Sequence, residues 1–73
     1  MAASGGVRPS TDLSQDEVEV LAQFARGYTI ERIARELGIS ERTVRRRLRA
    51  AADALGAGTS VEAVVQAVRA GLI

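Results

Sequence analysis

Apolar residues recur at helical spacing in successive stretches of this chain, and each stretch is bracketed by residues that start or stop helices. Val18, Leu21, Ala22 and Ala25 follow one another at three- and four-residue steps, the period of a helix with one face against a core. Ser14-Gln-Asp-Glu17 precedes them as a capping box, in which the Ser and Glu side chains each satisfy a free N–H. Gly27 ends this first helix as a left-handed cap. Thr29 caps a short second helix predicted over Ile30 to Leu37 and closed by Gly38. Ser40 caps a third, from Glu41 to about Leu55, which "GAG" at Gly56 to Gly58 breaks. Thr59-Ser-Val-Glu62 reads as a second capping box, opening a fourth helix that stops near Gly71. No stretch alternates in the manner of a strand and there are no internal repeats. The expected fold class is all-α, a four-helix bundle over residues 13–73 behind a flexible N-terminal tail over residues 1–12.

Only Gly38, Ile39 and Ser40 separate the second helix from the third. So short a connection forces a steep angle, as in a helix-turn-helix. Ala34 is small where the two helices would cross closely, and Leu37, Ile39 and Val44 would seal the corner. Gly38 stands where the turn requires a positive φ.

On the third helix, at about 100° per residue, Val44, Leu48, Ala51 and Leu55 share one face, which predicts the side turned inward. Arg42, Arg45, Arg46 and Arg49 fall on the opposite face as one stripe, with Arg47 apart from them near Thr43. An arginine-rich face is ordinarily a solvated surface. Here the four charges repel one another, and Glu41 pairs at i,i+4 only with Arg45. That pattern predicts a missing polyanion. A recognition helix lays such a face in the DNA major groove, where Arg binds guanine O6 and N7 bidentately or holds phosphates.

Composition narrows the alternatives. The net charge is only +1, yet Asp12, Asp16, Glu17 and Glu19 make the first segment acidic while the centre is basic; a local patch matters more to a polyanion than the total. With 73 residues, one Phe, one Tyr and no Trp, the chain forms a single domain with a thin aliphatic core. Cysteine and histidine are absent, which excludes disulfides, Cys/His zinc sites, thiol nucleophiles and imidazole catalysis. No catalytic residues, metal ligands or cofactor are predicted, nor a small-molecule ligand. No apolar run reaches the roughly 18 residues of a membrane span, and the N-terminus lacks the apolar region of a signal peptide. The expected location is the bacterial cytoplasm, with no membrane partner.

From Leu13 onward the chain resembles the LuxR-type (GerE-like) DNA-binding domain of bacterial regulators. "LSQDEVEVL" is similar to the family's opening L-T-x-x-E-x-E-V-L, and "ERIARELGISERTVRRRL" to its core E-x-I-A-x-x-L-x-I-S-x-x-T-V-K-x-H. "LGAGTSVEAVVQAVRAGLI" resembles the closing segment. The resemblance implies that Arg45, Arg46 and Arg49 face the bases. It implies that Thr29, Ser40 and Thr43 contact phosphates and that the fourth helix carries dimerisation; Arg42 and Arg47 are expected to contact phosphates as well. Arg47 stands where the family usually has histidine, Ala51 where it has a larger aliphatic residue, Ala54 and Ser60 where basic residues are common, and Thr29 where Asn is frequent.

In the fourth helix, Val61, Val64, Val65 and Val68 form an apolar stripe that Ala63, Ala67 and Ala70 widen. One reading makes all of this surface core. The other gives a face, expected at Val61, Val64, Ala67 and Val68 with Ala67 outermost, to a second copy. The leading function is a transcription regulator, not an enzyme, binding double-stranded DNA as a homodimer, with RNA polymerase as a further partner. A sigma-factor-like promoter-recognition module and a protein–protein adaptor on the same fold are the alternatives.

Overall fold

The structure, a computed structural model, describes residues 13–73. The expected tail over 1–12, Asp12 included, lies outside the described residues. Four helices follow in order: α1 Gln15–Ala25, α2 Ile30–Leu37, α3 Glu41–Ala54 and α4 Ser60–Arg69. No strand occurs among the described residues.

The caps are where the local chemistry puts them. Ser14 Oγ accepts from the Glu17 N–H and Glu17 Oε1 accepts from the Ser14 N–H, both at 3.1 Å, closing the capping box of α1. Thr29, Ser40 and Thr59 each accept the N–H three residues on, at 3.0 Å. The second capping box is incomplete. Glu62 Oε1 takes the N–H of Gly58 at 2.8 Å instead of that of Thr59. Thr59 is more extended than Ser14 (φ −142° against −75°), which turns its own N–H aside and offers the preceding one.

Helix α3 lies at the centre and contacts each of the other three, and α1 also meets α2 and α4. The core consists of Val20, Leu21, Ile33, Ala34, Val44, Leu48, Ala51, Ala52, Ala63 and Ala67. Half of these are alanine, so the helices approach closely and the core is thin. Leu13, Phe24, Leu37, Ile39, Leu55 and Leu72 lie half-buried around its rim.

Two faces differ from expectation. On α1 the buried centre is Val20 and Leu21, with Phe24 beside them, while Val18 and Ala22 are half-buried and Ala25 is exposed. Because α1 packs on both α3 and α4, its apolar face spreads towards Val20 and Phe24. On α4 the order is reversed. Ala67, expected outermost, is fully buried with Ala63, whereas Val61, Val65 and Val68 are exposed to 67%, 44% and 56%. Val64 is half-buried and packs against the core. The line of small side chains, Ala63 and Ala67, lets α4 sit flush on α1 and α3. Three valines are therefore turned towards solvent.

Candidate nucleic-acid interface

The site begins with the turn that aims α3. Gly38 has φ 69° and ψ 34°, the left-handed conformation, and its N–H and that of Ile39 both return to the Ala34 carbonyl. This satisfies the end of α2 and reverses the chain within three residues. Ala34, 7% exposed, is the small residue at the crossing of α2 and α3. Ser40 then starts α3, and Val44, Leu48 and Ala51 anchor its inner face in the core.

With that face buried, the opposite one is left to solvent. Arg42, Arg45, Arg46 and Arg49 are all exposed and together line one shallow trough along α3. A second groove runs beside them between α3 and the start of α4, where Arg45 and Arg49 meet Asp53, Thr59 and Ser60. Among the described residues, the only carboxylate within ion-pair distance of the four is Glu41, whose Oε1 lies 3.4 Å from Arg45 Nη2. Arg42, Arg46 and Arg49 have no such partner there. Like charges held this close destabilise the free helix, and an anion laid along the trough relieves that repulsion.

The remaining predicted contacts fall into two groups. Thr29, Ser40 and Thr43 sit at the first turns of α2 and α3. The hydroxyls of Thr29 and Ser40 already serve the backbone. Thr29 Oγ1 holds the Arg32 N–H. Ser40 Oγ holds the Thr43 N–H and donates to Thr43 Oγ1 at 3.0 Å. This arrangement leaves the Thr43 hydroxyl proton free to donate elsewhere. Arg47 is not part of the stripe. It is half-buried against α1, and its Nη2 lies 3.7 Å from Asp16 Oδ2. Sequence reasoning set Arg47 apart from its neighbours but gave no sign of Asp16. That pair joins two helices far apart in the chain, and no local periodicity reports it.

Elsewhere on the surface, Arg32 stacks 3.8 Å above the Tyr28 ring and lies 3.8 Å from Glu36. These contacts steady the outer face of α2 without joining the arginine trough. No helix among the described residues is long and apolar enough to cross a membrane.

Comparison with known proteins identifies a family. The family model described as bacterial regulatory proteins, luxR family, matches residues 11–67. The chain is 42% identical over 66 residues to the transcriptional regulatory protein YdfI of Bacillus subtilis, a match covering 90% of this chain and 31% of YdfI. It is 42% identical over 67 residues to the HTH-type transcriptional activator RamA of Corynebacterium glutamicum, covering 92% of this chain and 24% of RamA. The chain thus spans about a third or less of the length of these relatives.

Proposed function

This chain belongs to the luxR family of bacterial regulatory proteins, and from that premise we propose that it binds double-stranded DNA through α3 in the major groove and thereby regulates transcription. The observation that carries the reading is the stripe of Arg42, Arg45, Arg46 and Arg49. It is exposed on a helix whose other face is locked into the core and whose angle is set by a three-residue turn. Arg45, Arg46 and Arg49 read base edges, guanine above all, because each guanidinium can meet O6 and N7 together. Arg42 holds phosphate from the same stripe. Thr29 and Ser40 bring the first turns of α2 and α3, with their partial positive charge, to the backbone. Thr43 donates its free hydroxyl proton to a phosphate. Arg47 serves the backbone from the side, in competition with Asp16.

Two copies bind together through α4. The supporting observation is the exposed line Val61, Val65 and Val68. The apolar area is modest, so the pairing is weak without DNA, and two adjacent half-sites raise the effective concentration enough to assemble it. Twofold symmetry then matches a palindromic or pseudo-palindromic operator. The setting is the bacterial cytoplasm, with RNA polymerase as the further partner.

The test is a site selected from random duplex DNA, followed by binding to that site and to scrambled DNA. Arg45→Ala, Arg46→Ala or Arg49→Ala should cost about 1–3 kcal/mol on the selected site and relax preference at one base pair. Equal losses on both DNAs for all three variants would reduce them to phosphate contacts and refute the base assignment. Affinity that does not fall steeply with salt would favour the adaptor reading, since phosphate binding releases counterions.

A further inference from the structure

We infer that Glu41 is a specificity-determining residue of the DNA interface: it holds Arg45 as a base reader and withdraws it from the phosphates. The inference rests on the proposed DNA binding and concerns how that surface discriminates between sites. Glu41 is the first residue of α3 and lies one turn before Arg45 on the same ridge. Its carboxylate is 3.4 Å from Arg45 Nη2, with the two side chains 47% and 62% exposed. The pair is therefore at the surface that would meet DNA, not in the core.

A guanidinium carries five N–H donors. Glu41 engages one of them on Nη2, so enough remain to meet guanine O6 and N7 together. The contact restrains a long, flexible side chain in one direction, which lowers the ordering cost of a bidentate contact. On a wrong sequence, Arg45 gains only by swinging to a phosphate. Doing so breaks the Glu41 contact and leaves a carboxylate facing a polyanion. Glu41 thus penalises every DNA, and penalises the wrong one more. Among the four arginines of the stripe, Arg45 alone has such a partner within the described residues. This makes the effect local to one base reader.

The experiment compares wild type, Glu41→Gln, Arg45→Ala and the double variant on the selected site and on scrambled duplex, across a salt series. Gln keeps an oxygen acceptor but loses the charge. Expected for Glu41→Gln is about threefold tighter binding to scrambled DNA, from one less repulsion near a phosphate. A salt dependence steeper by about one phosphate contact should accompany it. Affinity for the selected site should rise less, so the ratio between the two DNAs narrows. In the Arg45→Ala background the same change should leave that ratio unmoved, because the pair no longer exists. A ratio unchanged by Glu41→Gln, or a parallel loss on both DNAs with a lower melting temperature, would make Glu41 a helix-start residue only and overturn the inference. Loss of preference at a cytosine with guanine preference intact would also overturn it, in favour of direct reading by the carboxylate. If the wild type itself selects no site, the base-reading proposal fails first and takes this inference with it. A selective wild type with an unmoved ratio sinks the inference alone.

Discussion

Replacing Gly38 isolates the backbone geometry that aims α3. At φ 69° and ψ 34° the residue is in the left-handed region, and a Cβ built there has no atom within 4 Å. Any penalty is therefore conformational and not a collision. For an L-residue that conformation costs about 1–2 kcal/mol. Asn visits it most readily, and a β-branched side chain least. The described chain, by size, has a total stability of about 3–9 kcal/mol, so the loss is a large fraction. Stability should fall in the order Gly38→Asn, Gly38→Ala, Gly38→Val. Each 1 kcal/mol should lower Tm by about 4–8 °C in a domain this small. Thermal melting by circular dichroism reads the series, and DNA binding below each Tm reads the aim of α3. Gly38→Asn should keep most of the affinity. If Asn and Val cost the same, the penalty is steric and the open space around Gly38 is misjudged. If Val costs nothing, the turn is not left-handed.

Three further changes test the two faces of α4 and the Asp16–Arg47 contact. Ala67→Glu should unfold the domain, because position 67 is fully buried and an unpaired buried carboxylate costs at least about 3 kcal/mol; a folded variant by circular dichroism would mean α4 is rotated from its described setting. Val65→Glu, at an exposed position, should stay within about 0.5 kcal/mol of wild-type stability and abolish cooperative binding to two half-sites while sparing one; cooperativity that persists in gel-shift titrations would remove α4 from the dimer. Asp16→Asn should release Arg47, strengthening binding to all duplexes and steepening its salt dependence, with less than about 1 kcal/mol lost because the pair is half exposed; unchanged binding would show that Arg47 makes no phosphate contact.

Much of this architecture was legible because it is written in local chemistry. Ser14, Thr29, Ser40 and Thr59 each cap the helix that follows them, and a cap is a relation among residues within one turn. The Gly38 turn and the outward arginine stripe are likewise short-range consequences of spacing. What escaped is what depends on distant partners. The Asp16–Arg47 contact exists only because α1 packs across α3, and the wide buried face of α1 exists because it meets the other three helices at once.

Helix α4 shows why a hydrophobic scale alone misleads. Valine is the more apolar residue, so a stripe of valines suggests the core side. The fold chose otherwise, since the site against α1 and α3 is shallow and only a line of alanines lets the backbones close on it. Valines placed there would hold α4 off and open voids on either side. The outward valines are then unexplained by the monomer's own packing. Apolar side chains exposed singly are unremarkable, but three along one ridge, opposite a snug alanine seam, are what a helix needs to meet a second copy of itself. The dimer proposal is thus carried by Val61, Val65 and Val68, and the burial of Ala67 sharpens it by separating the surface that folds the chain from the surface left for a partner.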